Sequence, residues 1–177
     1  MRNVECLLAL GTEARRIPTF FSIVILLYVK INLNSLKIHF MKKILFMCVA
    51  NSARSQMAEG IAKTLYPNIE FKSAGSIPSK VNPLAIQVME EINIDITDHF
   101  SKDFESLENN FIDNLDYVIP LCKEEVCPLL NSDAIVIPIP LEDPASENFS
   151  DNKLNKFREV RDLIKYKLKE LKTNFGD

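Results

Sequence analysis

A cysteine and an arginine lie six residues apart in the segment Cys48-Val-Ala-Asn-Ser-Ala-Arg54. A cysteine thiolate is a nucleophile, and a guanidinium can donate two parallel hydrogen bonds to two oxygens of a phosphate-like anion. The hydroxyl of Ser55 can donate a further hydrogen bond to the thiolate. The spacing therefore predicts an enzyme in which Cys48 attacks a tetrahedral oxyanion that Arg54 holds in place.

The chain on either side of this segment is suited to form an anion-binding loop. Residues 42–47 are largely apolar and predict a short buried strand, and residues 54–66 have the apolar spacing of an amphipathic helix. A loop from a strand to a helix N-terminus attracts anions, because unpaired N–H groups meet the positive end of the helix dipole there. Asn51 is of a residue type that tolerates positive φ in such a loop. The residues expected to bind the oxyanion are Val49, Ala50, Asn51, Ser52, Ala53, Arg54 and Ser55.

The rest of the chain alternates between predicted strands and predicted helices. Further strands are expected at residues 68–73, 117–121 and 134–139, and further helices at residues 82–92 and 152–173. The first of these helices has a clear start, with Asn82 as its N-cap and Pro83 at its first position. This alternation predicts an α/β fold with a four-stranded parallel sheet flanked by helices on both faces, and ligands of such sheets bind at the carboxyl ends of the strands.

An acidic turn follows the last predicted strand, at the same edge of the sheet as Cys48. Attack on the oxyanion needs a proton for the departing oxygen, and Asp143, whose backbone Pro144 restrains, is the candidate acid. An Asp-Pro pair alone usually marks only a turn. Its position after a strand, at the edge that carries Cys48, is what makes Asp143 a candidate acid. His39 and His99 receive no role, since neither is expected at this site.

Cys122 and Cys127 allow two interpretations. They can be small buried apolar residues, as free cysteines often are. Alternatively, Cys122 follows a strand at the same edge as Cys48, where it could act as a resolving thiol. If residues 123–126 are helical, the two Cα atoms lie roughly 8 Å apart, and a disulfide needs less than about 7 Å. Oxidation of this pair would therefore require the turn to unwind.

Composition places the chain among ordinary globular proteins. It has 177 residues, of which 47% are hydrophobic and 25% charged, so it is long enough for one domain with a real core. The net charge of −3 and the scattered basic residues argue against nucleic-acid binding. Four cysteines at irregular spacing do not suit a secreted disulfide scaffold. We expect a cytoplasmic monomer.

The first forty residues differ from the rest. Residues 17–29 form a nearly unbroken apolar run of 13 residues, shorter than the roughly 20 that a membrane span needs. The run has the length of a signal-peptide core, but no small-residue cleavage site follows it. Met41 stands just before the first strand and would be a natural initiator. We favour an extension, residues 1–40, that is not part of the native domain over a membrane anchor, with the domain at residues 41–177.

Several motifs together resemble a known family. They are Cys48-Val-Ala-Asn-Ser-Ala-Arg-Ser-Gln-Met-Ala-Glu-Gly60, Ser73-Ala-Gly75, Asn82-Pro-Leu-Ala85, Leu121-Cys-Lys-Glu-Glu-Val-Cys-Pro128 and Asp143-Pro-Ala145. In this order they resemble the thioredoxin-coupled arsenate reductases, which share the fold of the low-molecular-weight protein tyrosine phosphatases. The resemblance extends from Met41 to about Phe149, and the final helix fits it as well.

The resemblance implies a relay of three thiols. Cys48 would attack arsenate held by the loop and Arg54, with Asp143 as the acid. Cys122 would then attack the Cys48 adduct, which releases arsenite and leaves a Cys48–Cys122 disulfide. Cys127 would attack Cys122, and thioredoxin would reduce the resulting disulfide. Because the electrons come from thiols, no bound cofactor is implied.

Two other functions remain open. The first is hydrolysis of phosphotyrosine or another phosphomonoester through a phosphocysteine at Cys48. The second is a non-catalytic, regulatory module that only binds oxyanions. Three features argue against the phosphatase. Phosphatases of this fold need only the first cysteine, usually have proline at the position of Gln56, and tend to carry aromatic residues at the position of Ala145. These features favour the reductase.

The resemblance also bears on metal binding. Some relatives bind potassium through residues that match Asn51, Glu59 and Ser73, together with an acidic residue. In this chain Lys102 stands at the position of the acidic residue, and its ammonium group could occupy the place of the ion. We therefore expect no metal.

Overall fold

A computed structural model describes residues 41–123 and 133–176 of the chain. These residues belong to a compact unit that begins at Met41. Three expectations concern residues outside this range: the extension at residues 1–40, residues 124–126 of the predicted helical turn, and the position of Cys127. The boundary at Met41 therefore remains a prediction.

Four strands form the described sheet: β1 (Lys43–Cys48), β2 (Glu70–Gly75), β3 (Tyr117–Pro120) and β4 (Ile135–Val136). Their order is β2-β1-β3-β4, and every neighbouring pair is parallel. The predicted four-stranded parallel sheet is confirmed. From β1 the chain adds β2 on one side of the sheet and then β3 and β4 on the other. The crevice at such a switch in strand order is where α/β sheets bind ligands.

Helices cover both faces of the sheet, as predicted. The helices are α1 (Arg54–Leu65), α2 (Pro83–Glu90), α3 (Asn109–Ile112), α4 (Lys153–Glu170) and α5 (Lys172–Phe175). Along β1, Ile44 and Phe46 are buried in a large core with side chains of α1, α2 and α4. Leu45 and Met47 point to the other face and pack in a smaller core with Phe111 of α3. Alternation along a strand thus divides the apolar residues between two cores.

Local sequence signals account for the helix starts. The side chain of Asn82 accepts a hydrogen bond of 2.9 Å from the backbone N–H of Leu84, and Pro83 takes the first position of α2, as predicted. A 3₁₀ helix at Glu147–Asn152, which the sequence pattern did not predict, precedes α4, and the short α3 was also not predicted. Among the described helices, none combines the length and the apolar character that a membrane crossing requires.

The last strand is shorter than predicted, and a proline explains the difference. Ile137 and Ile139 still donate backbone hydrogen bonds of 2.9 Å to Val118 and Pro120 of β3. Pro120 has no N–H with which to return a bond, so the reciprocal ladder stops at Val136. The chain nevertheless stays beside β3 as far as Leu141, which carries the acidic turn to the edge where β1 ends.

Candidate active site

The loop of residues 49–53 joins the end of β1 to the start of α1. Its carbonyl groups all accept hydrogen bonds from groups outside the loop or from the following helix. Val49 O accepts from Ile77 N at 2.9 Å, Ala50 O from Ser101 Oγ at 2.8 Å, Asn51 O from Gln56 Nε2 at 3.0 Å, Ser52 O from Asn82 N at 2.8 Å and Ala53 O from Met57 N at 2.9 Å. The carbonyls therefore turn outward around the whole loop.

Outward carbonyls leave the N–H groups of the loop facing inward. In a trans peptide unit the N–H of one residue points opposite to the C=O of the residue before it. Ala53, the N-cap of α1, makes no side-chain capping bond, so the first turn of the helix is not closed by its own cap. Such a ring of N–H groups at a helix N-terminus is a nest for an anion. The predicted loop thus has the backbone geometry of an oxyanion site.

Asn51 is the residue that bends this loop. It is fully buried and has φ of 44°, in the left-handed region that asparagine tolerates better than most residues. Its Oδ1 accepts from the backbone N–H of Lys102 and from Gln56 Nε2, both at 2.9 Å. Its Nδ2 donates to Ser55 Oγ at 2.8 Å and to Ser73 Oγ at 2.9 Å. All four contacts agree on one orientation of the amide.

The same network sets the direction of the hydrogen bond to the nucleophile. Ser73 donates to the carboxylate of Glu59 at 2.6 Å and accepts from Asn51. Ser55 also accepts from Asn51, so its own proton remains for Cys48 Sγ, which lies 2.9 Å from its Oγ. An ionised sulfur can only accept, so Ser55 is the donor whenever Cys48 is a thiolate, and the site is built to receive that form.

Gly75 lets the loop lie close against the end of β2. A Cβ atom at this position would come within 2.5 Å of Val49 O and 2.7 Å of Asn51 N. Both are backbone atoms of the loop, which cannot move aside as the end of a flexible side chain can. The close approach therefore requires glycine here, as the Ser73-Ala-Gly75 motif supplies.

Arg54 is buried and links the loop to the acidic turn. It is 4% exposed, and its Nη1 donates to the carbonyl oxygen of Leu141 at 3.0 Å. Its Nη2 lies 3.8 Å from Oδ2 of Asp143, whose side chain is 43% exposed. The carbonyl bond fixes the plane of the guanidinium, and the partly exposed carboxyl group remains accessible beside the anion site. Cys48, Arg54 and Asp143 thus come together at one edge of the sheet.

Cys122 lies at this same edge. Met47 is paired with Pro120, so Cys48 is level with Leu121, and Cys122 is one residue further. Cys122 forms an isolated bridge with Leu141, the residue whose carbonyl holds Arg54, and it is 9% exposed. Among the described residues, Cys48 and Cys122 are the free cysteines. The predicted partner of Cys122, Cys127, lies outside the described residues.

Two residues that the sequence pattern did not assign to the site lie just outside the loop. Gln56 is fully buried, and its amide reaches both the carbonyl and the side chain of Asn51. His99, which was expected to lie away from the site, is separated from the loop by one residue, since its Nδ1 lies 2.9 Å from Gln56 Oε1. No local signal marks a histidine 43 residues away as a neighbour of Gln56; only the return of the chain beside the loop reveals it.

A buried carboxylate with two lysines lies beneath the loop. Glu59 accepts from Lys63 Nζ at 2.6 Å, and Lys102 Nζ lies 3.9 Å from its other oxygen. Burial lowers the pKa of Lys102, and the Glu59 carboxylate opposes that effect. Within the described residues, no group of three or more histidine, cysteine, aspartate or glutamate side chains could hold a metal ion.

This arrangement predicts that the protein does not depend on potassium. Because Lys102 already supplies a positive charge beside Glu59, the melting temperature should be the same in potassium chloride and sodium chloride of equal ionic strength. Lys102→Asp adds a carboxylate in place of the ammonium and should make the melting temperature rise in potassium. Thermal unfolding in both salts tests the two proteins side by side, and a potassium-specific rise in the wild-type protein would contradict the prediction.

Comparison with known proteins agrees with this geometry. Residues 43–176 match the model of the family described as low molecular weight phosphotyrosine protein phosphatase. An arsenate reductase of Staphylococcus aureus strain Newman is 38% identical over 135 residues, which cover 75% of this chain and 97% of that protein. The resemblance inferred from the motifs is therefore confirmed.

Solved structures show the same likeness. An arsenate reductase in the phosphate-binding state is 37% identical, with a TM-score of 0.64, and the match covers 77% of this chain and all of that chain (100%). A thioredoxin-dependent arsenate reductase of Corynebacterium glutamicum is 25% identical, with a TM-score of 0.61, and the match covers 88% of this chain and 72% of that one.

Proposed function

Since this chain belongs to the low molecular weight phosphotyrosine protein phosphatase family, we propose that it reduces arsenate to arsenite with thioredoxin as the reductant. Relatives in the reductase branch match it over nearly their whole length. A chain with this site needs no bound cofactor, because all electrons pass through cysteine thiols. We place the reaction in the cytoplasm, where thiols are kept reduced.

In the first step, the loop binds the oxyanion and Cys48 attacks it. The inward N–H groups and the guanidinium of Arg54 bind the arsenate oxygens, which leaves arsenic facing the sulfur. The thiolate of Cys48, stabilised by the Ser55 hydroxyl at 2.9 Å, forms an S–As bond. One As–O bond breaks, and the Asp143 carboxyl group protonates the departing oxygen, which leaves as water. The product is an arsenate ester of the cysteine sulfur.

In the second step, Cys122 removes the arsenic as arsenite. The Cys122 thiolate attacks the sulfur of Cys48, so an S–S bond forms and the S–As bond breaks. The bonding pair remains on arsenic, which is thereby reduced from the +5 to the +3 state while two thiols are oxidised to a disulfide. Cys127 then attacks Cys122 and releases the Cys48 thiolate. The thioredoxin dithiol reduces the Cys122–Cys127 disulfide and is itself oxidised.

The position of Cys122 carries this proposal. Neighbouring strands are about 4.8 Å apart and residues rise about 3.3 Å along a strand, so Cα atoms one residue out of level are roughly 6 Å apart. The register of β1 and β3 sets Cys48 and Cys122 in that relation. Disulfides join Cα atoms at about 4.4–6.8 Å, so the two backbones are close enough for a bond once the side chain of Cys122, which alternation directs to the other face of the sheet, turns toward Cys48. A phosphatase would have no use for the second thiol.

A coupled assay on the full chain tests the proposal. Arsenate-dependent oxidation of NADPH is measured with thioredoxin and thioredoxin reductase, and hydrolysis of a generic aryl phosphate is measured in parallel. We expect turnover in the first assay and weak activity in the second. Strong hydrolysis without reduction would instead make the chain a phosphomonoesterase. Oxyanion binding without either activity would leave a regulatory binding module.

The domain boundary is a further prediction. The described unit begins at Met41 and the family match at residue 43, which supports a domain of residues 41–177 that folds without residues 1–40. A chain that starts at Met41 should therefore be monomeric, as active as the full chain, and equal to it in melting temperature. Size-exclusion chromatography, thermal unfolding and the coupled assay measure this. An inactive or insoluble product would show that the first forty residues are needed.

A further inference from the structure

The amide of Gln56 lies outside the oxyanion loop, and its nitrogen and its oxygen face different partners. Its Nε2 faces three oxygens: Asn51 O at 3.0 Å, Asn51 Oδ1 at 2.9 Å and Phe100 O at 3.0 Å. Oxygen acceptors on that side require the nitrogen of the amide there. The other end of the amide, Oε1, must then receive a hydrogen bond, since Gln56 is fully buried.

His99 is the group that supplies this hydrogen bond. Its Nδ1 lies 2.9 Å from Gln56 Oε1. Burial is the main effect on this imidazole and lowers its pKa, with the Glu59 carboxylate acting in the opposite direction, so the ring is neutral at neutral pH. A neutral ring has one N–H, and the Gln56 oxygen requires it at Nδ1. Protonation would add a proton at the other nitrogen and leave this bond in place.

We propose that His99 is a positioning residue for the oxyanion loop. Its Nδ1–H fixes the orientation of the Gln56 amide, and Gln56 in turn holds Asn51 in the left-handed conformation that directs the loop N–H groups inward. The effect reaches the nucleophile as well, because the same Asn51 side chain donates to Ser55, the hydrogen-bond donor of Cys48. This role rests on the proposed function only in that the loop binds an oxyanion.

Loss of the donor should loosen the loop for two reasons. Without it, Gln56 Oε1 is a buried acceptor with its partner removed, which is costly. A flipped amide does not relieve this, because its oxygen would then face the three oxygens that Nε2 now bonds. Asn51, at φ of 44°, keeps its conformation only while the surrounding hydrogen bonds hold it. The loop should therefore sample conformations in which its N–H groups no longer converge.

Side chains that place different atoms at the Nδ1 position test this role. In His99→Asn the amide nitrogen can take the place of Nδ1 and donate, whereas His99→Ala removes the donor and His99→Asp replaces it with an acceptor. Asp98→Asn, at an exposed neighbouring position, is the matched control. The measurements on the full chain are the dissociation constant of inorganic phosphate, KM and kcat for arsenate, and the rate at which iodoacetamide alkylates Cys48.

We expect His99→Ala and His99→Asp to bind phosphate about tenfold more weakly than the wild-type protein, with a matching rise in KM and slower alkylation. His99→Asn and the Asp98→Asn control should stay within about twofold of the wild-type protein. In a Gln56→Met background, His99→Ala should have no further effect, because the partner through which it acts is gone.

Two results would overturn the inference. One is wild-type phosphate affinity in His99→Ala; the other is a loss in His99→Asn as large as that in His99→Ala, which would assign the effect to the ring and not to its donor. If His99→Ala fails to fold, His99→Gln replaces it, because its amide reaches the Nε2 position and not Nδ1. Phosphate binding and alkylation do not require arsenate turnover. A chain that reduces no arsenate but shows these shifts would refute the proposed function and leave the role of His99 intact.

Discussion

Replacing Cys48 with serine is expected to abolish arsenate reduction, with a loss of roughly 10⁴-fold or more, as is typical when a nucleophile is removed. A serine hydroxyl at this position has no base beside it that would make it a nucleophile, since its hydrogen-bond neighbour, Ser55, carries only another hydroxyl. Hydrolysis of aryl phosphates should be lost to the same extent. The loop itself should survive, because Cys48 takes no part in the hydrogen bonds that orient Asn51.

The two effects can be measured separately. Turnover is followed in the thioredoxin-coupled assay, and phosphate binding is followed by calorimetry, which we expect to detect an affinity within about threefold of the wild-type value because the N–H groups and Arg54 are unchanged. Cys6→Ser is the matched control for the exchange of sulfur for oxygen, and it should remain fully active. Reduction at a wild-type rate in Cys48→Ser would refute the assignment of the nucleophile.

Replacing Cys122 with serine is expected to stop reduction while sparing hydrolysis. Without the second thiol, no disulfide can form at the sulfur of Cys48. The S–As bond is then not broken with its electron pair left on arsenic, so arsenic keeps its oxidation state. Multiple-turnover reduction should fall to background, a loss of roughly 10³-fold or more. The anion loop and Asp143 remain, so any aryl phosphate hydrolysis should stay within about twofold of the wild-type rate.

Cys127→Ser is the variant that completes this test. We expect it to release about one arsenite per protein molecule and then stop as a Cys48–Cys122 disulfide, which peptide mapping by mass spectrometry can identify. Multiple turnovers in Cys122→Ser would end the relay proposal, because reduction would then need no resolving thiol at that position. Equal loss of hydrolysis and reduction in Cys122→Ser would instead assign Cys122 a structural role.

The proposed thiol exchange would require a local rearrangement at the end of β3. Leu121 packs in the same core as Phe46, whereas Val118 packs in the core on the other face. Regular alternation therefore directs the side chain of Cys122 to the face opposite that of Leu121 and Cys48. The backbone around Cys122 has to turn before the two sulfur atoms can bond.

Local patterns in the sequence were sufficient for the elements that carry the chemistry. An apolar run before Cys48 and helical spacing after Arg54 predicted the strand, loop and helix, because both periodicities are set by residues close together in the chain. The same reasoning located α2 from Asn82 and Pro83. It overestimated β4, because the proline that interrupts its pairing, Pro120, stands in the neighbouring strand and not in β4 itself.

Local patterns in the sequence predicted the proposed reacting groups: a thiol directly after the first strand, a guanidinium at the start of the following helix and a carboxyl group in the turn after the last strand, all at one edge of a parallel sheet. How the loop between them is held follows from long-range contacts that only the folded chain makes. Several carbonyls of residues 49–53 accept hydrogen bonds from distant parts of the chain, including Ser101, and His99 contacts Gln56, which in turn bonds Asn51. The bonds of His99 and Ser101 join residues 43 and 51 positions apart, so no local periodicity records them, and they exist only once the fold has brought those segments together.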